Sequence, residues 1–255
     1  MANDPRAAPI PVPVTDCARC PLRQTGAFST NTPEEIAFIA RFKQDEVLRT
    51  RGSLLIAEGR PNGQLYTLLS GWAFRFRSLG DGRRQILNFL LPGDLIGLQE
   101  KLGVDTLSGV ELLADARLCC FPMDQLWDLY RHYPSLAYDI TWLAAHEEHI
   151  VDDNLVSVGQ RSAAQRLAML LVHLYRRADS IGLRDAAGAV PFPLSQQHMS
   201  DALGLSLVHT NKTLRRLARA GLYDLQDGRL RLPDPKALQD IADYRVQPLH
   251  GRPLI

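Results

Sequence analysis

Hydrophobic and polar positions follow a helical period over two short segments in the last third of the chain. Apolar residues between Ser195 and Leu203 predict a short helix, and Gly204 suits the left-handed residue at a helix end. Ser206 is a suitable N-cap for a second helix. In that helix, one set of residues recurs every three or four positions and is expected to pack inward. Its members are Leu207, Thr210, Leu214 and Leu217. The pattern predicts a helix-turn-helix.

A second face of the later helix carries residue types suited to DNA. Asn can pair with adenine, Lys or Arg can pair with guanine, and Val can contact a thymine methyl group. Cations near the end of a helix are favoured by its dipole and are attracted by phosphates. The predicted base-contacting residues are Val208, Asn211, Lys212 and Arg215. The predicted phosphate contacts are Ser195, Gln196, Gln197, His209, Arg216 and Arg219.

The segment after these helices alternates like a β-hairpin. Residues 223–225 and 229–232 alternate in strand fashion around Asp227-Gly228, a strong two-residue turn signal. Helix-turn-helix plus hairpin is a winged helix. Residues 160–232 hold 11 Lys and Arg against 5 Asp and Glu, whereas the whole chain carries a formal net charge of only +1. This asymmetry is typical of a nucleic-acid module joined to another domain.

The middle of the chain has the pattern of short strands. Ten of the 18 glycines lie between Gly52 and Gly109 and separate short alternating or apolar runs. Such runs, spaced by turn residues, predict an antiparallel sandwich or barrel over about residues 45–122. A barrel of this size can enclose one small ligand or be filled by its own side chains.

A long helix is predicted over residues 135–158, between the strands and the helix-turn-helix. It carries a seam at 4-3-4-3-4 spacing, which indicates a dimer contact, the alternative being a core helix packed on its own domain. Dimerisation suits paired helix-turn-helix units, because they contact two half-sites about one DNA turn apart. The seam consists of Leu136, Ile140, Leu143, Glu147, Ile150 and Asn154.

Length and composition allow two domains. The 255 residues are 45% hydrophobic and 22% charged, as in ordinary globular proteins. No apolar run approaches the roughly 20 residues that span a bilayer. The proline-rich start lacks the apolar core of a signal peptide, so we expect a cytoplasmic protein. The expected parts are a flexible arm over residues 1–27, a sensory barrel over 28–133, a dimerisation helix over 134–158, a winged helix-turn-helix over 159–244 and a tail over 245–255.

These motifs resemble the Crp/Fnr superfamily of bacterial transcription regulators over about residues 15–244. Leu68-Leu69-Ser70-Gly71 and Leu91-Pro92-Gly93-Asp94-Leu95-Ile96-Gly97 are similar to its barrel signatures. Leu203-Gly204-Leu205-Ser206 followed by Asn211-Lys212 is similar to its recognition-helix signature. The resemblance implies an α+β fold: an N-terminal antiparallel β-barrel (a jelly roll of the cyclic-nucleotide-binding kind), a long dimerisation helix and a C-terminal winged helix-turn-helix.

The recognition helix departs from the family pattern. The family commonly has Glu, then Ser or Gly, then Arg, where this chain has Val208, Asn211 and Lys212. Lys lacks the rigid two-pronged geometry of Arg, so its contact with guanine is expected to differ. The target sequence therefore need not be the usual half-site of the family.

The barrel lacks part of the family's cyclic-AMP cassette. In the cyclic-AMP-binding branch, Gly-Glu-Leu is followed about ten residues later by Arg-Ser or Arg-Thr. Here Gly93-Asp94-Leu95 matches the first part, but no arginine occurs between Arg84 and Arg117. We therefore do not expect the barrel to bind cyclic AMP.

The FNR-like branch, which holds an iron–sulfur cluster, resembles this chain more closely. Cluster ligands are normally four thiolates. The matching cysteines are Cys17, Cys20 and Cys119, while the remaining position, near Gly26, has no cysteine. Cys120 follows Cys119 in a predicted strand and is expected to point to the opposite face. The open alternatives for these residues are a cluster, half of a zinc site, a redox dithiol, or cysteines that serve only as small buried apolar residues.

The favoured function is a dimeric transcription regulator whose partners are double-stranded DNA, a second copy of the chain and RNA polymerase, with no membrane. It is expected to respond to oxygen or redox state. A second class is a small-ligand-binding module that regulates a protein partner rather than DNA. A third is a thiol oxidoreductase using Cys17 and Cys20, but no strand–CxxC–helix pattern supports an enzyme.

Overall fold

The computed structural model of the protein describes residues 9–99, 106–245 and 251–255. Residues 1–8 of the expected arm and residues 246–250 of the expected tail lie outside the described residues. The strands in chain order are β1 (Ile10–Pro11), β2 (Asp45–Arg49), β3 (Leu54–Ile56), β4 (Gln64–Ser70), β5 (Ala73–Ser78), β6 (Arg84–Leu90), β7 (Leu95–Ile96), β8 (Gly109–Leu112), β9 (Ala116–Pro122), β10 (Ala189–Pro191), β11 (Asp224–Gln226) and β12 (Arg229–Arg231). The α-helices are α1 (Pro33–Phe42), α2 (Leu126–His132), α3 (Pro134–Gln160), α4 (Ala163–Ser180), α5 (Gln196–Leu203), α6 (Leu207–Arg219) and α7 (Pro235–Ala242).

The chain divides into two compact units. The first contains residues 1–77, 89–149 and 250–255, and the second contains residues 78–88 and 150–249. The turn between β5 and β6, most of β6 and the C-terminal part of α3 thus belong to the unit that holds the helix-turn-helix. The last residues of the chain belong to the first unit.

Strands β1 to β9 form two antiparallel sheets. One has the strand order β1-β2-β9-β4-β7 and the other β3-β8-β5-β6. Buried apolar side chains from both sheets, among them Leu68, Leu112 and Leu118, form one shared core. The predicted α+β architecture is confirmed, with the described strands forming two sheets in a jelly-roll-like sandwich.

Two adjacent cysteines on β9, Cys119 and Cys120, point to opposite faces of the sheet. Cys120 points into the core shared by the sheets. On β9, Cys119 is paired in register with Glu46 of β2 and Thr67 of β4. Because side chains alternate along a strand, these three residues lie on the sheet face opposite the core. A buried row of polar residues therefore crosses the outer face of this sheet.

Residues 9–27 pack against that face, in contrast to the flexible arm expected for residues 1–27. Strand β1 pairs with β2, and two 3-10 helices follow at Cys17–Arg19 and Leu22–Thr25. The carboxylate of Glu46, which is fully buried, accepts hydrogen bonds from the backbone N–H (2.8 Å) and the hydroxyl (3.1 Å) of Thr15. Composition alone could not indicate this packing, because the partner lies 31 residues away.

The predicted dimer seam of α3 packs within its own chain. Leu136, Ile140, Leu143 and Ile150 are buried. The side chains of the two polar members bind locally: Glu147 pairs with Arg75 at 2.9 Å, and Asn154 Nδ2 donates to the Leu87 carbonyl at 2.8 Å. Of the residues predicted to form a dimer contact, Leu136, Ile140, Leu143, Glu147, Ile150 and Asn154, the four apolar members are therefore buried inside the chain rather than exposed to a partner. A 4-3 repeat marks a packed helix face without specifying whether the partner is the same chain or another.

Replacing Glu46 by Ala is expected to destabilise the first unit by about 3–5 kcal/mol, because it leaves the buried ammonium of Lys43 without its carboxylate. Urea unfolding followed by circular dichroism measures this loss. Glu34→Ala, which removes an exposed carboxylate from the first turn of α1, is the control and should cost at most about 1 kcal/mol. Equal losses in the two variants would contradict the structural role of Glu46.

Candidate nucleic-acid interface

The turn between α5 and α6 is fixed by side-chain caps and one glycine. The hydroxyls of Ser195 and Ser206 accept hydrogen bonds from the backbone N–H groups of His198 and His209, each at 3.2 Å, and so cap α5 and α6. Gly204 ends α5 at φ +61°, in the left-handed region that favours glycine. The sequence signals at these positions produce the expected helix-turn-helix geometry.

The inward face of α6 differs from its prediction at one position. Thr210, Leu214 and Leu217 are buried where α6 packs against α4 and α5, but Leu207 is 46% exposed. Leu207 is the first residue of the helix, so its side chain lies over the turn before it rather than between helices. Thr213 takes the remaining buried position.

The outward face of α6 presents the predicted base-contacting residues. Val208 is 79% exposed, and Lys212 and Arg215 are also exposed. Asn211 is half-buried, and its Nδ2 donates to Gln196 Oε1 at 2.6 Å. The amide of Asn211 is therefore held by the first residue of α5, and the two side chains form one polar unit on this surface.

The predicted phosphate contacts fall into two groups. Arg216, Arg219 and His209 are exposed on α6, and no described carboxylate forms an ion pair with either arginine. On α5, the Ser195 hydroxyl is used by the cap, and Gln197 Nε2 donates to Asp201 Oδ1 at 2.6 Å. The positive charge available for phosphates is therefore concentrated at the end of α6.

The wing, which is the β11–β12 hairpin, has a tight turn, and its arginines are engaged in ion pairs. Asp227 and Gly228 both have positive φ, at 49° and 71°, as a tight hairpin turn requires. The β11–β12 hairpin is completed by β10 into a three-stranded sheet. Its two arginines are already paired, Arg229 with Asp185 at 2.6 Å and Arg231 with Asp224 at 3.3 Å.

Residues that sequence reasoning missed hold α5 from the side of the β5–β6 hairpin. The guanidinium of Arg84 pairs with Asp201 at 2.9 Å, and Gln85 Nε2 donates to the Ala202 carbonyl at 2.9 Å. The sequence feature that could have indicated these contacts is the run of polar residues at 83–85, after the Gly80-Asp81-Gly82 turn. This run has more side-chain hydrogen-bond donors than a hairpin itself needs.

The cysteines Cys17, Cys20 and Cys119 lie within electrostatic range of one another. Burial is the main reason that the pKa of Cys119 rises to about 12; ionised Cys17 and Cys20 also raise it, whereas Lys43 lowers it. Burial likewise raises the pKa of Cys17. At neutral pH the Cys17 and Cys119 thiols are therefore protonated.

These three cysteines do not fit an iron–sulfur cluster as they are placed. A cluster is normally held by four thiolates, and only three of the family's cysteine positions are matched in this chain. Cys120 points into the core and offers no fourth sulfur. Across residues 9–99, 106–245 and 251–255, no three His, Cys, Asp or Glu side chains are arranged to hold a metal ion.

The loop that matches the family's nucleotide cassette is engaged within the chain. Asp94 is buried, its Oδ2 accepts the backbone N–H of Leu91 at 2.8 Å, and its Oδ1 lies 2.5 Å from Arg252 Nη2. This carboxylate therefore stabilises a loop and an ion pair.

Comparison with known proteins agrees with the two-part architecture. The sequence model of the cyclic nucleotide-binding domain matches residues 47–133, and that of the Crp-like helix-turn-helix domain matches residues 165–241. The nitrogen fixation regulation protein FixK of Bradyrhizobium diazoefficiens is 27% identical over 230 residues, which are 89% of this chain and 93% of that protein. The transcriptional activator protein FnrL of Cereibacter sphaeroides is 25% identical over 224 residues, 86% of this chain and 88% of that one.

Solved structures share the fold. FixK2 from Bradyrhizobium japonicum superposes with a TM-score of 0.69 at 24% identity, covering 77% of this chain and 96% of that one. The CRP-family regulator TTHB099 from Thermus thermophilus gives 0.64 at 22% identity, covering 80% and 98%. None of the described helices combines the length and apolar character needed to cross a membrane. The order of the two domains, the exposed face of α6 and the similarity to known regulators lead to one conclusion: the chain belongs to the Crp/Fnr superfamily of DNA-binding transcription regulators.

Proposed function

We propose that this chain regulates transcription as a homodimer that contacts base pairs with Val208, Asn211, Lys212 and Arg215. The exposed, cap-fixed outer face of α6 is the observation that carries the proposal. A helix with this face fits the major groove, where each base pair presents a distinct pattern of donors, acceptors and methyl groups. Selection of bound duplexes from a random library tests it: a defined palindromic motif is expected, and recovery of random sequences contradicts it.

The polar unit of Asn211 and Gln196 supports a specific contact with adenine. An Asn that pairs with adenine must present both its carbonyl oxygen and an N–H group. Gln196 Oε1 accepts one N–H of Asn211 and thereby restricts the rotation of the amide group. Gln196 therefore acts as a positioning residue for Asn211 as well as a phosphate contact.

The phosphate contacts in this proposal are Ser195, Gln196, Gln197, His209, Arg216 and Arg219. Arg216 and Arg219 are the strongest members, because their charge is exposed and unmatched by a described carboxylate. Contacts of this kind add affinity for every duplex and release counterions.

The dimer contact is proposed on the exposed face of α3, opposite the buried seam. Three large apolar side chains lie exposed on this helix: Tyr138 (69%), Leu155 (70%) and Val156 (49%). The proposed row has the same 4-3-4-3-4 spacing as the seam that packs inward and consists of Tyr138, Trp142, Ala145, His149, Asp152 and Val156. Leu155, three residues after Asp152, lies next to this row and is counted with it. Exposed apolar residues at such spacing are typical of a helix that pairs with a second copy.

RNA polymerase is proposed as a further partner, supported by similarity to transcriptional activators such as FnrL.

A response to oxygen or redox state is supported by similarity to the anaerobic regulatory protein of Pasteurella multocida, which is 24% identical over 226 residues, 89% of this chain and 82% of that protein. Because the cysteines do not fit a cluster as placed, we assign this response to the thiols of Cys17, Cys20 and Cys119.

Base and phosphate contacts should respond differently to substitution. Asn211→Ala and Lys212→Ala are each expected to cost about 1–3 kcal/mol on the selected site and to relax the preference for it. Arg216→Ala and Arg219→Ala should weaken all duplexes alike and reduce the salt dependence by about one counterion each. Fluorescence anisotropy at several salt concentrations measures both, with Lys236→Ala on α7 as an exposed control outside the interface. A uniform loss in all four variants would refute the division of roles.

Oligomeric state should depend on the exposed face of α3. Leu155→Glu is expected to convert the dimer to a monomer in sedimentation experiments and to abolish tight binding to a two-half-site duplex, because it places charge in an apolar contact. The matched variant Ile140→Val, on the buried face, should lower the free energy of unfolding by about 0.5–1.5 kcal/mol without changing the oligomeric state. A Leu155→Glu protein that remains dimeric would overturn the proposed contact.

Alkylation of Cys119 should be slow and strongly pH-dependent. A pKa of about 12 rather than the ordinary 9.0 lowers its thiolate fraction at pH 8 by about a thousandfold. Iodoacetamide labelling followed by mass spectrometry should therefore be on the order of a thousandfold slower in the native protein than in urea, and should accelerate as pH rises toward 12. Equal rates in the two states would show that Cys119 is neither buried nor neutral.

A further inference from the structure

The segment Gly251–Ile255 is held to residues 27–29 by two backbone hydrogen bonds. The backbone N–H of Arg252 donates to the Ala27 carbonyl at 3.1 Å, and that of Ser29 donates to the Arg252 carbonyl at 2.8 Å. These bonds form a parallel bridge between Phe28 and Arg252. The backbone of the segment is thus held by one bridge that does not involve its side chains.

A buried ion pair fixes the register of the segment. Arg252 is mostly buried and pairs with the buried carboxylate of Asp94 at 2.5 Å. Asp94 is held in turn by the backbone N–H of Leu91. Because a buried carboxylate is costly without a cation, only an arginine or lysine at position 252 matches this site.

The end of the segment is buried among apolar and polar partners. Leu254 and Ile255 are 2% and 6% exposed. The Leu254 carbonyl accepts from Arg23 Nη2 at 3.2 Å, and the Ile255 carbonyl accepts from the Thr67 hydroxyl at 2.8 Å. The segment is therefore held in three ways: by hydrogen bonds to its backbone, by an ion pair and by burial of its apolar side chains.

The groove is shaped by residues outside the segment. Gly93 has φ +91°, and a Cβ at this position would collide with the ring of Phe28. The absence of a side chain at Gly93 allows Phe28 to rest on the loop that carries Asp94. This contact sets the distance between the edge that binds the segment's backbone and the carboxylate that binds Arg252.

The segment ends beside the cysteines. Thr67, which binds Ile255, is the register partner of Cys119 on the neighbouring strand. Arg23, which binds Leu254, is close enough to Cys17 and Cys20 that their charges influence its pKa. The same two residues thus contact the segment and border the thiols.

We propose that the first unit contains a peptide-binding groove whose ligand is the chain's own Gly251–Ile255, an extended Arg-Pro segment with two apolar residues. The groove is lined by Arg23, Phe28, Ser29, Thr67 and Asp94. Docking of the segment limits access of reagents to Cys17 and Cys119. Release of the segment exposes these thiols, so that reagents excluded by their burial can react with them.

Amide exchange in the full-length protein tests the docking. The N–H groups of Ser29 and Arg252 are expected to exchange slowly in the native chain and at least tenfold faster in Arg252→Ala. Thr67→Val, which removes one hydroxyl while keeping side-chain shape, should give a smaller acceleration. Arg245→Ala, an exposed arginine outside the groove, is the matched control and should leave both amides unchanged. Free exchange of both amides in the native chain would overturn the proposal.

Thiol labelling tests the consequence. In a variant lacking residues 251–255, labelling of Cys17 and Cys119 should accelerate at least tenfold, while Cys120, buried in the core on the other face of β9, should stay unreactive. Added peptide Gly-Arg-Pro-Leu-Ile should restore protection, and Gly-Ala-Pro-Leu-Ile should not. Unchanged labelling, or equal acceleration at Cys120, would refute a groove-specific effect. Neither measurement uses DNA. A negative result would therefore refute the docking of the segment and leave the proposed regulatory function untouched.

Discussion

Buried carboxylates that need a cation determine how the first unit is assembled. Glu46 and Asp94 are both removed from water, and each recruits a segment distant in sequence. Glu46 pairs with Lys43 and Arg117 and binds Thr15, which fixes the residues before Cys17. Asp94 pairs with Arg252. An unpaired buried charge costs several kcal/mol, so Asp94 depends on the segment that supplies Arg252. The cations of Glu46, Lys43 and Arg117, lie outside the segment before Cys17, and Thr15 adds hydrogen bonds to the same carboxylate.

Ion pairs also separate the arginines of the second unit into two groups. Arg84 is matched by Asp201, and the wing arginines Arg229 and Arg231 are matched by Asp185 and Asp224. These pairs position α5 and shape the wing but leave little charge for a ligand. The cations of α6 have no such partners among the described carboxylates. Four of the eleven Lys and Arg residues of 160–232, namely Lys212, Arg215, Arg216 and Arg219, therefore lie exposed together on α6.

Local signals in the sequence were sufficient for the helix-turn-helix and its wing. Gly204, Ser206 and Asp227-Gly228 act within a few residues of themselves, so their geometry could be predicted. The face of α3 could not, because a 4-3 repeat occurs on both sides of this helix. The packing of the two outer segments could not either, since Thr15 and Arg252 find their partners 31 and 158 residues away. Only the fold supplies such long-range partners.

The engagement of Asp94 also bears on what the first unit can bind. The loop Gly93-Asp94-Leu95 resembles the start of a nucleotide cassette, yet the arginine that completes the cassette is missing from the sequence that follows. The cation facing this loop comes instead from Arg252, and it meets a carboxylate rather than leaving a site for a phosphate. A loop that binds a residue of its own chain can report whether that segment is docked. The groove, the buried thiols and the loop then respond to one event, the displacement of residues 251–255.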